Sequence, residues 1–312
     1  MRIRAITLAV ASLIAVTPAH AYAASPPDPI AFVRNGNVWV RTASKTFPVS
    51  QHGHAVWPRL SPDKTEVAYA ESGNITVAYI GGGPENVYTT ELTHGKDAGG
   101  PAWSPDGRFL AYRAGDVYSG MLTILRLGSA ESGHAAGRTS SRVVAGRQER
   151  TAAPRAGFDQ LRHANTLDWS PDGTSIAFPG GDCWGIYDDC LTVLNLASNK
   201  ETTIAAWGGG GAELSGFATT PRFSGDSRKL FWTQQEDVID QPDPSPLRSY
   251  GYNLATEQRW QIGADGDTVP VHLGGGRFVV TARHAGTSWV AYLSGTAHTW
   301  LAPGEQADAR RG

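Results

Sequence analysis

The side chains able to do chemistry are scattered along this sequence. Beyond residue 21 the histidines are His52, His54, His94, His134, His163, His272, His284 and His298, none of them in a His-Glu-x-x-His pair. There is no Gly-x-Ser-x-Gly elbow to activate a serine. The run Gly208-Gly209-Gly210-Gly211 lacks the Lys and Ser/Thr of a phosphate loop and reads as a connector. Two close-set acidic groups carry the hard oxygens that suit calcium: Asp265-Gly266-Asp267, and Asp182 with Asp188 and Asp189. Neither follows a full calcium-loop pattern, and solvated turns are the simpler reading, so no metal or cofactor is expected. Cys183 and Cys190 are the only two cysteines, too few for a multi-cysteine zinc site.

Residues this far apart converge only if the elements between them repeat, and they do. Four segments align: Pro58-Arg59-Leu60-Ser61-Pro62-Asp63-Lys64, Pro101-Ala102-Trp103-Ser104-Pro105-Asp106-Gly107, Leu167-Asp168-Trp169-Ser170-Pro171-Asp172-Gly173 and Pro221-Arg222-Phe223-Ser224-Gly225-Asp226-Ser227. Pro270 to Arg277 is a degenerate fifth copy. In each, a short strand ends at a large side chain and Ser-Pro-Asp-Gly makes a tight reversal. Pro presets the turn torsion, Asp bonds nearby amides, and Gly takes the left-handed position. This makes the repeated Asp a turn-former, not a catalytic acid. Three more strands follow every anchor, read from alternating β-branched and aromatic residues between turn clusters.

The spacing predicts an all-β protein, a β-propeller of four-stranded blades. A partial unit precedes the first anchor (Pro29–Arg34, Gly36–Thr42 and Lys45–Val49) and lacks a first strand. Five full units and this one suggest six blades, with five as the alternative. No strand is evident after Pro303 to close the ring. The expected organisation is a signal peptide at 1–21, a linker at 22–28, the propeller at 29–305 and a disordered tail at 306–312.

In such a ring, His54, Asp97, Asn165, Thr220 and Asp267 each precede an innermost strand and could share one channel mouth. There they could bind a ligand, hold a metal or act as acid and base, a hydrated polar rim being the ordinary alternative. The insertion 128–165 carries Arg138, Arg142, Arg147 and Arg150 among small residues. It reads as a mobile surface loop, or as a recognition arm for an anionic partner.

The segment Trp103-Ser104-Pro105-Asp106-Gly107-Arg108-Phe109-Leu110-Ala111-Tyr112 resembles the WD-like repeat of TolB-type β-propellers, as does Trp169 to Phe178. Gly36-Asn37-Val38-Trp39-Val40 resembles that family's turn into its third strand. The resemblance implies an exported propeller that binds a protein or envelope component. The N-terminal α/β domain of TolB is expected to be absent, since strands begin just after the signal. Similar repeats occur in the propeller parts of peptidases.

Composition narrows the partners. Arg2 and Arg4, an apolar run from Ala5 to Val16, Pro18 and Ala19-His20-Ala21 have the form of a cleaved export signal, too short to span a membrane. The chain has 27 basic and 29 acidic residues; without Arg2 and Arg4 the net charge is −4. That argues against a nucleic-acid partner. An oxidising compartment favours a Cys183–Cys190 disulfide stapling one loop. The expectation is a secreted or periplasmic monomer that binds a protein or cell-envelope ligand without catalysis. The rivals are a propeller hydrolase or lyase with its site on the channel axis, and a structural protein whose channel is plugged by apolar side chains.

Overall fold

The computed structural model describes residues 28–95, 97–114, 121–128, 138–143, 166–210, 214–238 and 245–310. The expected signal peptide and most of the linker lie outside the described residues.

Six antiparallel four-stranded sheets form a ring. Blade 2 runs outward from β4 (Ala55–Leu60) through β5 (Glu66–Glu71) and β6 (Asn74–Tyr79) to β7 (Tyr88–Glu91). Blade 3 consists of β8 (Gly99–Trp103), β9 (Phe109–Ala114), β10 (Met121–Leu127) and β11 (Arg138–Val143). Blade 4 is β12 (Asp168–Trp169), β13 (Ser175–Pro179), β14 (Asp189–Asn195) and β15 (Lys200–Trp207). Blade 5 is β16 (Leu214–Phe223), β17 (Lys229–Val238), β18 (Arg248–Asn253) and β19 (Arg259–Ile262). Blade 6 is β20 (Thr268–Gly274), β21 (Arg277–His284), β22 (Thr287–Ser294) and β23 (Ala297–Pro303).

Blade 1 corrects the expected boundary. Its outer strands are β1 (Ile30–Arg34), β2 (Asn37–Arg41) and β3 (Thr46–Pro48), and its innermost strand is β24 (Glu305–Ala309). The segment expected to be a tail therefore closes the ring, pairing Ile30 with Ala309 and Ala31 with Asp308. Without a Ser-Pro-Asp hairpin, its sequence gives little sign of this. Its alternation is nevertheless that of a strand: Ala307 and Ala309 enter the apolar core, while Asp308 faces polar partners. Innermost strands contact one another all the way round, from β24 to β4, β8, β12, β16, β20 and back to β24.

The hydrophobic core is divided among the seams between blades, one cluster to each. Ala31, Val38 and Val40 of blade 1 pack on Leu60, Val67 and Tyr69 of blade 2. Trp207 and Trp232 pack with Leu191 between blades 4 and 5. The other four seams are filled in the same way. Each blade buries both its faces, which explains continuous apolar runs such as Phe109–Tyr112.

The hairpin between the first and second strands repeats atom for atom. The hydroxyls of Ser61, Ser104, Ser170 and Ser224 donate to Asp63, Asp106, Asp172 and Asp226 over 2.6, 2.7, 2.6 and 2.5 Å. The same hydroxyls accept the amides of Glu66, Phe109, Ser175 and Lys229, each at 2.9 Å. Left-handed torsions fall on Gly107 and Gly173, as expected, and on Lys64 and Ser227 in the other two copies. The serine bonds hold Asp106 and Asp226 below the usual carboxylate range. At Asp63 and Asp172 burial pushes upward, but the serine and amide bonds outweigh it and the net direction is also down. These aspartates are turn-formers, as read from their repetition.

Candidate functional site

Five of the six innermost strands bulge, all but β12. Trp57, Gly100, Thr220, Val269 and Gln306 take positive φ at these points, and four of the five precede a proline. Proline donates no hydrogen bond, so an innermost edge strand with a bulge is where it fits. Two of the bulges meet. Trp57 and Val269, from the blades flanking blade 1, pack against each other. The Trp57 amide donates to Gln306 Oε1 at 2.9 Å, and the Val269 amide to Thr233 Oγ1 at 2.8 Å.

One step along, the six blades present a residue at equivalent register: Arg59 opposite Ala68, Ala102 opposite Ala111, Asp168 opposite Ala177, Arg222 opposite Phe231, Val271 opposite Val279 and Asp308 opposite Ala31. Four of these are charged and form one layer. Arg59 Nη2 lies 2.5 Å from Asp168 Oδ1 and also donates to the Leu167 carbonyl. Arg59 Nη1 and Arg222 Nε are each 3.6 Å from Asp308 Oδ1. Both carboxylates also hold the following blade: Asp168 Oδ2 accepts the Phe223 amide at 2.7 Å, and Asp308 Oδ2 accepts the Leu60 amide at 2.9 Å. Arg310 adds a third cation, its Nε and Nη2 donating to the Leu60 carbonyl at 3.0 and 2.8 Å. Burial pushes the Asp168 carboxyl up, against the pull of Arg59 and Arg310.

Above this layer, at the hairpin end of the ring, a funnel of ≈ 320 Å³ opens. Arg222, Asp308 and Arg310 lie at its floor, and Pro105, Pro171 and Trp169 stand in its wall. The His272 ring also borders it, packed against Phe231 and Phe278 at 4.7 and 5.1 Å between centroids.

The residues expected to share a rim lie at the other end of the inner strands. His54 and Asp97 are exposed, His54 beside a cavity of ≈ 480 Å³ that includes Trp57, Ser72 and Gly73. Thr220 is buried in its bulge, with Oγ1 donating to Thr233 Oγ1 at 3.1 Å. Asp267 is buried too, accepting from the Ala264 amide at 2.8 Å and paired with His298 Nε2 at 2.9 Å. Asn165 lies outside the described residues. Of the two acidic loops, Asp265 is held by Arg248 at 2.7 and 3.0 Å. Asp188 accepts the Gly209 amide at 3.1 Å, and Asp189 is buried. Among the described residues no group of three or more His, Cys, Asp or Glu is placed to hold a metal.

The outer strand of blade 3 takes in the start of the arginine insertion. Arg138 and Arg142 fall on β11, the outermost strand of blade 3, opposite Leu127 and Ile124, and not in a loop. Arg147 and Arg150 lie outside the described residues. Cys183 and Cys190 form the expected disulfide, with Cα atoms 6.4 Å apart. Among the described residues no helix is long and apolar enough to cross a membrane.

The charged layer is what the sequence reading missed. Arg59, Asp168 and Arg222 stand in one column of the aligned anchors, and charge recurring at an inward position of a buried strand was the available signal. Asp308 was out of reach without the closing strand.

Fold and site together define a six-bladed β-propeller closed by its C-terminal strand, with an open funnel at the hairpin end. No family model and no curated protein matches the sequence. Solved structures do match the fold. TolB from Acinetobacter baumannii is similar with a TM-score of 0.63 and 13% identity, over 90% of this chain and 66% of that one. A TolB from Agrobacterium tumefaciens gives 0.57 and 16%, over 90% of this chain and 92% of that one. An oligogalacturonate lyase in complex with manganese gives 0.51 and 12%, over 86% and 70%. The chain thus spans just under two thirds of the length of the first of these.

Proposed function

We propose that this protein is an exported, non-enzymatic binding propeller that takes a protein or envelope ligand in the hairpin-end funnel. The observation that carries the reading is the open funnel and the state of its floor. The floor carboxylates of Asp168 and Asp308 are already bound to arginines and to amides of the neighbouring blades. A carboxylate fixed in this way holds blades together and is poorly placed to exchange protons with a substrate. Concave walls of proline and aromatic residues above a charged floor suit recognition. The disulfide and the export signal read from the sequence favour a secreted or periplasmic location. The repeats and the TolB neighbours favour a macromolecular partner over a small substrate.

The test is capture from envelope extract by the immobilised mature chain, alongside a Gly225→Arg variant that fills the funnel wall and keeps the wild-type melting temperature. A specific macromolecule retained by the wild type and lost by the variant is expected. Retention that ignores the funnel variant would refute the reading. Hydrolase or lyase turnover by the purified protein would refute it equally.

A further inference from the structure

The charged layer beneath the funnel, counted with the buried Arg59, carries more positive charge than its own carboxylates balance. Three guanidiniums, Arg59, Arg222 and Arg310, face two carboxylates, Asp168 and Asp308. Arg59 is engaged through Nη2 by Asp168 and the Leu167 carbonyl, and its Nη1, 3.6 Å from Asp308, has no hydrogen-bond partner among the described residues. Arg222 borders the funnel, which Arg59 does not, and no carboxylate hydrogen-bonds it among the described residues. It is only 4% exposed, and its one hydrogen bond is from Nη1 to the Pro221 carbonyl at 3.2 Å. Among the described residues its buried Nε has no acceptor, since Asp308 Oδ1 at 3.6 Å is beyond hydrogen-bond reach. A guanidinium has five donors, and leaving them idle in a buried position is costly. Arg222 and Arg310 both border the funnel.

We propose that the funnel is a carboxylate-binding site for an acidic side chain or chain terminus of a partner polypeptide, seated on Arg222 and Arg310. This deepens, and rests on, the reading of the funnel as the binding face. A carboxylate offers the acceptors that Arg222 lacks, in the two-oxygen geometry a guanidinium fork matches. The walls select what carries it. Trp103 Nε1 is bound to the Arg59 carbonyl at 2.9 Å, Trp169 Nε1 to the Gly173 carbonyl at 3.2 Å, and the Ser104 hydroxyl to Asp106. Those wall groups have little to offer the many hydroxyls of a sugar acid. Pro62, Pro105 and Pro171 give a methylene stem an apolar surface to lie on.

The experiment is calorimetric titration of the full mature chain with three probes: poly-L-glutamate, the neutral poly(hydroxyethyl-L-glutamine), and polygalacturonate. Since the mature chain is net negative, its overall charge repels both polyanions, and binding must be local. Poly-L-glutamate should bind, the neutral polymer should not, and Arg310→Gln should weaken binding at least tenfold. Arg222→Gln should do the same. Because Arg222 is buried, the partly exposed Arg310 carries the test if that variant is unstable. Arg259→Gln, on the outer strand of blade 5 over Tyr250, should leave affinity within twofold. Unchanged affinity in Arg310→Gln overturns the proposal. So does binding of polygalacturonate without poly-L-glutamate, which would assign the site to a sugar acid. If neither polyanion binds while Gly225→Arg still abolishes capture from the extract, the carboxylate assignment fails and the binding reading survives.

Discussion

Replacing Arg59 by methionine should expose how much the ring depends on its charged layer. The side chain is 3% exposed, 2.5 Å from Asp168 and 3.6 Å from Asp308, and both carboxylates are themselves largely buried. Methionine fills much the same volume but leaves Asp168 without its ion pair, under only the weaker pull of Arg310, and takes one of the two arginines from beside Asp308. Breaking a buried pair from one side costs about 3–5 kcal/mol. For a domain of this size each kcal/mol is worth roughly 2–4 °C, so the melting temperature should fall by about 6–20 °C at neutral pH. The pH dependence has a definite sign. Burial already raises the Asp168 carboxyl, and Arg59 opposes that rise. Without Arg59 the folded-state pKa moves further above the unfolded one, so the folded variant binds the extra proton. Its deficit relative to wild type should therefore shrink as pH falls through that raised pKa toward the ordinary aspartate range near 4. Adding Asp168→Asn, which keeps an acceptor for the Phe223 amide, should recover much of the loss. Thermal melts from pH 5 to pH 8 on the single and double variants decide the matter. A loss below about 1 kcal/mol, a deficit independent of pH, or no rescue by the second substitution would show that the layer is not the buried network described.

Two further perturbations test other parts of the structure. Glu66 is pushed up to about 7, first by burial and then by the nearby Asp63 charge, so the folded state resists its ionisation above that pH. Glu66→Gln should raise the melting temperature at pH 8, by roughly 1–2 kcal/mol of stability after solvent screening, and do little at pH 5; equal effects at both would contradict the shift. Gly304, at φ 148°, leads into the closing strand, and a Cβ there would lie 2.6 Å from both Phe32 Cδ2 and the Val33 carbonyl. Gly304→Ala should cost about 1–3 kcal/mol and speed amide exchange in β1 and β24 before the other blades; uniform exchange would mean the ring does not open at this seam.

What the sequence determined is everything that repeats locally. A Ser-Pro-Asp hairpin forms from seven neighbouring residues, through bonds among its own hydroxyl, carboxylate and amides. Each anchor therefore announced its turn and the strands around it, and the count of anchors gave the wheel. The two cysteines, eight positions apart counting both ends, announced their own bridge.

The tertiary structure decided what depends on residues far apart in the chain. Glu305–Ala309 becomes a strand because Ile30–Arg34, some 275 residues away, leaves an inner edge unpaired, and backbone groups at a buried edge must find partners. The charged layer follows from that closure. Arg59, Asp168, Arg222 and Asp308 come from four blades, and none signals its partner in its own neighbourhood. The exposure of the expected rim was undecided for the same reason: preceding an inner strand fixes which end of the ring a residue occupies, but not whether its side chain turns toward water, as at His54, or inward, as at Thr220 and Asp267. Hydrogen bonds between neighbours along the chain can be read from spacing, whereas burial and charge pairing are set by whichever distant strand arrives opposite.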